Sequence, residues 1–160
     1  MSTQRFWQNP IAWFMIAALM LGLIGFFIMG DAALDIPIHD TYFVVAHGHL
    51  ALVAVLFCLG CSMIYWAFAR VLRRRLNAKL GFAHALLTFV GLQCIFFPLH
   101  FIGLDGAPRR HYEYTQFDPV GESPLWTVNG MVTIAAAIFL VGQALFVFNA
   151  LRTLFMEPQS

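Results

Sequence analysis

Two histidines, His47 and His49, stand two residues apart in an otherwise apolar stretch of the sequence, VVAHGHLAL. Because residues on an α-helix advance by about 100° each, the two side chains leave a helix in nearly opposite directions. Two histidines that bind one metal ion from a single helix stand four residues apart instead. If both are ligands, they therefore serve two different centres, one on each side of the helix.

The surroundings of the pair favour haem iron as the partner of these imidazoles. No acidic residue occurs between residues 41 and 69, and an imidazole without an acid beside it is a good ligand for haem iron. The alternative is that each ring is hydrogen-bonded to a neighbouring helix. Two polar rings in lipid must each find a partner, and ionisable groups inside membranes are functional by default. We therefore interpret the pair as haem ligands.

The whole chain has the composition of a membrane protein. Of its 160 residues, 61% are hydrophobic and only 11% are charged, whereas an ordinary soluble domain is about 25% charged. Four stretches without Asp, Glu, Lys or Arg each exceed the roughly 20 residues that a helix needs to cross a bilayer. The sequence predicts an all-α integral membrane protein, a single domain over 1–160 with four transmembrane helices at about 10–31, 41–72, 79–104 and 123–153.

The basic residues predict the orientation of these helices. Seven of the nine lie on one side of the membrane, and only Arg109 and Arg110 lie on the other. By the positive-inside rule the first side is cytoplasmic, which puts both termini inside the inner (plasma) membrane. His47 and His49 then lie about 10 Å from the outer boundary, so a haem there is near the outer face. The two outer arginines suit its propionates.

Other patterns do not indicate further chemistry. Basic residues from Arg70 to Lys79 could bind anionic lipid or nucleic acid, but topology already explains them, and we predict no nucleic-acid partner. Cys58 and Cys61 form a C-x-x-C motif on an apolar helix. A zinc site needs a second ligand pair, and a redox site needs an exposed thiolate. We therefore expect packing roles for both cysteines.

Two longer motifs resemble the haem-copper oxidase subunit I family, which includes the catalytic subunit of cytochrome c oxidase. The motif DIPIHDTYFVVAHGH at 35–49 resembles the loop and start of the family's tenth helix. The motif FFPLHFIGLDGAPRR at 96–110 resembles the end of its eleventh helix and the following loop. The resemblance covers the chain from about residue 11 to 155 and matches the last four of the family's twelve helices. It implies one third of that architecture.

The resemblance implies a haem-related role for four residues. His47 matches the axial ligand of the family's high-spin haem, and His49 matches a ligand of its low-spin haem. Arg109 and Arg110 match the pair that holds haem propionates. The expected cofactor is a haem of b or a type, about one per chain.

The resemblance also touches four further residues. His39 and Asp40 match ligands of a magnesium or manganese ion, which also needs an acid from another subunit. His84 and His100 match family histidines, and we expect structural roles for them.

The chain departs from the family pattern as well. Nothing in it matches the first eight helices, so the three copper-binding histidines, the tyrosine near that copper and the proton channels have no counterpart. Gly48 stands where the family usually carries a bulky aromatic residue. No catalytic residue is assigned, and we do not expect a single chain to reduce oxygen by itself.

Three functions are compatible with this pattern. The first is a homo-oligomer, favoured as a homotrimer, in which His49 of one chain and His47 of the next bind one haem. Such a cytochrome would transfer electrons or sense a redox state. The second is part of an oxygen-reducing oxidase completed by another chain, in which the two histidines serve different haems. The third is a haem-handling or assembly protein, against which the retention of both histidines and both arginines argues.

Overall fold

Four long helices run through the residues that the computed structural model describes, which are 9–29, 36–110 and 127–155. They are α1 (Pro10–Met29), α2 (Tyr42–Arg70), α3 (Ala78–Leu104) and α4 (Val128–Phe155). Within α2 the backbone follows a π-helix over His49–Ala54. The predicted all-helical fold is confirmed for these residues.

Three of the helices are long and apolar enough to cross a membrane. These are α2 with 29 residues, α3 with 27 and α4 with 28. Helix α1 has 20 residues, Pro10–Met29, and carries no charged side chain. The apolar, membrane-type character of the chain is therefore confirmed, while the four spans and the single domain over 1–160 stay predictions.

Helix α3 links the other three helices. Helix α4 packs on α3, whereas α1 packs along α2 and also contacts α3. The buried apolar core lies among α1, α2 and α3. It includes Phe14, Leu21, Leu50 and Leu92, and both Cys58 and Cys61 are buried within it. The burial of the two cysteines agrees with the packing role expected for them.

Glycines on α3 allow its neighbours to approach closely. A Cβ built on Gly91 would lie 2.7 Å from Phe139 Cβ and 2.9 Å from Phe139 Cα. A Cβ on Gly103 would overlap the backbone of Phe43, at the start of α2. Small residues are used in this way in membrane proteins, where close van der Waals packing holds helices together. Both contacts therefore depend on the absence of a side chain.

The turn between α2 and α3 is fixed to the end of α4 by hydrogen bonds. The Asn149 side chain is fully buried; its oxygen accepts from Asn77 N at 3.0 Å, and its Nδ2 donates to Asn77 O at 3.1 Å. Arg74 Nη1 donates to the carbonyl oxygens of Thr153 and Leu154, at 2.8 and 2.6 Å. The carbonyl groups at the end of α4 thus receive partners that the helix itself does not supply.

We expect the replacement of Asn149 by leucine to destabilise the protein by about 1–3 kcal/mol, because the backbone N–H of Asn77 loses its partner at a partly buried position and Asn77 O keeps only the N–H of Gly81. Thermal unfolding of the detergent-purified protein measures this change. Asn129→Leu, at an exposed position on the same helix, is the matched control. Equal unfolding temperatures for the Asn149→Leu variant and the parent would show that the hydrogen bonds to the turn do not stabilise the fold.

Candidate functional site

The two sequence motifs lie side by side at one end of α2 and α3. Tyr42 N donates to Ala107 O, and Arg109 N donates to Asp40 O, both at 2.9 Å. Gly106 has a φ of +86°, a value that glycine adopts without steric cost, and it turns the chain back after α3. These contacts place the predicted ion ligands next to one of the predicted propionate ligands.

His47 is enclosed by aromatic rings between α2 and α3. Its exposed fraction is 0%. The ring stacks on Phe43, with centroids 5.7 Å apart and planes 6° apart. It meets the ring of His100 edge-on, with centroids 5.6 Å apart. A haem iron can reach His47 in this arrangement only if a neighbouring side chain moves.

His100 is held in one orientation by its own helix. Its Nδ1 lies 2.8 Å from the carbonyl oxygen of Phe96. A carbonyl oxygen can only accept, so Nδ1 carries the hydrogen and donates. The Nε2 atom of a neutral His100 is then left as an acceptor. The sequence motif indicated a family histidine at this position, but the contact with His47 emerges only from the packing of α3 on α2.

His49 has the opposite environment and is exposed. Its Nδ1 lies 2.7 Å from the carbonyl oxygen of Val45, so Nδ1–H is the donor and the lone pair of the neutral ring is on Nε2. The ring also stacks on Phe96 of α3, with centroids 5.4 Å apart. Histidines that bind metals are commonly fixed by such a second hydrogen bond, which sets the tautomer and the ring orientation. His49 therefore fits an axial haem ligand.

The backbone beside His49 departs from a regular α-helix. The π-helix begins at this residue and ends at Ala54. Short π-helical segments are rare and are frequent at functional sites. The sequence HLALVA contains neither proline nor glycine, so no local signal indicated this departure. The regular helix assumed from the sequence applies up to His49 and is wrong for the six residues that begin there.

Open space lies beside the residue between the two histidines. A Cβ built on Gly48 would meet no atom within 4 Å. A larger group can therefore approach α2 at Gly48 without steric overlap. This space, the exposed ring of His49 and its fixed Nε2 together fit a large planar ligand on the His49 side of the helix.

An exposed polar cluster joins the predicted ion ligands to Arg109. Asp40 Oδ1 lies 2.9 Å from Arg109 Nη2, and Asp40 Oδ2 lies 3.2 Å from His39 Nε2. His39 Nδ1 donates to the Ile36 carbonyl oxygen at 2.7 Å. In a neutral His39 the Nε2 lone pair thus faces the carboxylate, and a proton or a cation between them would relieve the repulsion. The donor set fits an ion only in part, because no group of three metal ligands occurs in the described residues.

Arg110 is exposed, as expected for a residue that would bind a haem propionate near the outer face. It follows directly on Arg109, whose guanidinium binds Asp40. Both predicted propionate ligands therefore lie at the end of the helix pair that carries His47 and His49. Binding of a propionate by Arg109 would compete with its contact to Asp40.

A second polar cluster lies far along α2 from the histidine pair and is centred on His84, for which the sequence predicted a structural role without indicating its partners. Tyr65 OH lies 3.1 Å from His84 Nδ1, and His84 Nε2 lies 3.1 Å from Gln143 Oε1. Gln143 Nε2 in turn donates to Thr88 Oγ1 at 3.0 Å. Sixteen residues separate Tyr65 from His49, which is about 24 Å along a helix. Polar residues in otherwise apolar helices indicate that such a cluster exists. Which of them pair depends on how three helices pack together.

Two apolar grooves lie elsewhere on the helix surfaces. One has a volume of about 550 Å³ between α3 and α4, beside Phe97, Met131 and Ile138. The other has a volume of about 410 Å³ between α1 and α3, beside Trp13 and Phe82. Neither is lined by a histidine. These grooves are therefore not the predicted haem site.

Comparisons with known proteins agree with the two motifs. The family model "Cytochrome C and Quinol oxidase polypeptide I" matches residues 1–138. The alternative cytochrome c oxidase subunit 1 of Bradyrhizobium diazoefficiens is 37% identical over 144 residues, which cover 89% of this chain and 24% of that protein. Cytochrome c oxidase subunit 1 of Yarrowia lipolytica is 34% identical over 137 residues, which cover 83% of this chain and 25% of that protein.

The chain thus spans about a quarter of the length of these curated relatives. The family model and the relatives confirm the resemblance that the motifs at 35–49 and 96–110 carry. Together with the apolar helices they indicate an integral membrane protein. The chain belongs to the cytochrome c and quinol oxidase polypeptide I family, the haem-copper oxidase subunit I family.

Proposed function

We propose that this chain is a membrane cytochrome in which His49 and His47 are axial ligands of haem iron and Arg109 and Arg110 hold the propionates. The cofactor is a haem of b or a type, about one per chain, near the outer face of the inner membrane. The geometry of His49 carries the proposal: the ring is exposed and its Nδ1 donates to the Val45 carbonyl oxygen. This bond orients Nε2 as a ligand atom.

The second ligand of the same iron comes from another copy of the chain. His49 stacks on Phe96 of its own α3 and is exposed, so a haem bound there would extend beyond the chain. In a closed ring of three copies, His47 of the neighbouring copy would supply the second ligand of that haem. This step requires Phe43 or His100 to move, since they enclose His47.

Bound haem supplies a one-electron redox couple, and the chain supplies its environment. The Val45 carbonyl keeps the His49 ring in one tautomer, and Phe96 limits its rotation. The rings of Phe43 and His100 keep water from His47, and both burial and contacts around the ligands tune the reduction potential. Such a protein transfers electrons or senses a redox state.

A second candidate is part of an oxygen-reducing oxidase that another chain completes. The different surroundings of the two histidines favour it, because one ring is enclosed by aromatic rings and the other is exposed. Two separate haems with different coordination would need such different surroundings. In that case the missing helices, the copper site and an acid for an ion at His39 and Asp40 come from the partner chain.

Haem content and particle mass, measured on one detergent-purified sample, test the proposal. A pyridine haemochrome assay counts haem per chain, and light scattering counts chains per particle. We expect about one low-spin haem per chain in a particle of three chains. A haem-free monomer would contradict the homo-oligomer, and haem binding that requires a co-expressed subunit would support the second candidate instead.

A further inference from the structure

Six basic side chains gather at the end of the helices opposite to the histidine pair. We call this group the basic rim. Arg70 ends α2, Lys79 lies in the first turn of α3 and Arg152 lies in the last turn of α4. The turn between α2 and α3 adds Arg73, Arg74 and Arg75. The acidic residues that the structure describes, Asp40 and Asp105, lie at the other ends of α2 and α3. In the sequence, Glu157 would offset one of these six charges.

The sequence predicts Arg152 on the same side of the membrane as Arg70 to Lys79, and the tertiary structure packs the end of α4 against their turn. Arg74 binds the carbonyl oxygens of Thr153 and Leu154, which follow Arg152 directly. The Asn149–Asn77 hydrogen bonds hold the same turn one helical turn earlier on α4. Arg74 is thus used to fix the turn, while the other five members of the basic rim are exposed. Topology accounts for basic residues on one side of a membrane, but it does not account for their convergence from three helices.

Large apolar side chains are exposed beside these cations. Val71 is 68% exposed, Leu72 is 48% exposed and Phe155 is 81% exposed. All three lie at the ends of helices that are long enough to cross a membrane. Cations next to exposed apolar groups at this depth match the boundary between acyl chains and headgroups, where the apolar groups enter lipid and the cations reach phosphate.

We propose that the basic rim binds the phosphate headgroups of anionic phospholipids, with phosphatidylglycerol as the simplest example. Charge complementarity, the exposed apolar neighbours and the position at the end of three apolar helices select a lipid over a soluble anion. Basic clusters next to membrane helices attract anionic headgroups, and each Lys or Arg strengthens binding by about fivefold. This site is independent of the proposed haem ligands, which lie at the other end of α2.

Native mass spectrometry of the detergent-purified full chain tests the site. The protein is titrated with phosphatidylglycerol and, separately, with phosphatidylcholine of the same acyl chains. We expect bound phosphatidylglycerol at concentrations at least tenfold lower than phosphatidylcholine. The variant Arg73→Gln/Arg75→Gln/Arg152→Gln should weaken phosphatidylglycerol binding at least tenfold, because three charges are lost. Arg74 is left unchanged because it holds the turn.

A charge-conserving variant, Arg73→Lys/Arg75→Lys/Arg152→Lys, is the matched control and should bind within about threefold of the parent, since the site needs positive charge more than guanidinium geometry. If the triple Gln variant fails to fold, the single variant Arg75→Gln should still weaken binding about fivefold. Equal binding of the two lipids, or unchanged binding by the Gln variants, would overturn the proposal. Displacement of the lipid by millimolar inorganic phosphate would show that the basic rim binds a soluble anion rather than a lipid.

Discussion

Replacement of His49 by alanine is expected to lower the haem content at least tenfold while leaving the helices folded. Loss of a group that only supports a metal ligand already weakens metal binding by about 10–100-fold, and here the ligand itself is removed. The His49 ring is exposed and contacts its own chain through the Val45 carbonyl and the face of Phe96, so its loss leaves no cavity in the core. Pyridine haemochrome content and the low-spin absorption spectrum measure the effect.

The exposed His39 provides a matched control for this experiment, because His39→Ala removes an imidazole that we do not assign to haem. Added imidazole should restore part of the low-spin spectrum to a His49→Gly variant.

The variant His47→Ala separates the two proposed functions. In the homo-oligomer it removes the same spectral signal as His49→Ala, whereas in an oxidase completed by another chain it removes a different one. Full haem content in both alanine variants would show that the two histidines are not the ligands.

Replacement of Gly103 by alanine is expected to destabilise the protein by about 3 kcal/mol, at the upper end of the range for overpacked sites. The new Cβ would overlap the backbone of Phe43, which cannot rotate away as the end of a long side chain can. Helices α2 and α3 would then move apart where Phe43 and His100 enclose His47. Thermal unfolding in detergent measures the stability, and the haem spectrum reports on the site.

The variant Gly60→Ala is the matched control, because it makes the same substitution on α2 at a position with open space. A Cβ at Gly60 would meet no atom within 4 Å, and alanine favours a helix over glycine by about 1 kcal/mol. Gly60→Ala should therefore be neutral or slightly stabilising. If Gly103→Ala were as stable as Gly60→Ala, the close contact between α3 and the start of α2 would not exist in solution.

Much of the helical fold was predictable because the signal is local. Long apolar stretches between charged segments need only to be counted, and a bilayer leaves a single chain few options other than helices. The Thr41 and Asn77 side chains cap α2 and α3 in the structure by accepting from the first free N–H groups of these helices. The π-helix at His49–Ala54 was not predictable, because its sequence is that of an ordinary apolar helix.

The candidate site was predictable in its residues and only partly in its arrangement. The i, i+2 spacing predicted that His47 and His49 leave the helix in nearly opposite directions, but it did not predict that one ring is enclosed and the other exposed. Which histidine is enclosed depends on the side of α2 on which α3 packs. The networks at His84 and at Asn149 each join residues more than fifty positions apart, so no local pattern reveals them.

The sequence by itself determined the membrane character and the family, because composition and motif are properties of the chain alone, and residue type predicted which residues would bind haem. Only the tertiary structure decided that His100 contacts His47, that Asp40 pairs with Arg109 and that Arg74 binds the end of α4. The physical reason is that each of these contacts forms between helices or loops whose approach depends on side-chain volume at a few positions, with Gly103 as the clearest case. Small residues set how closely helices pack, and the packing then sets which distant polar groups meet.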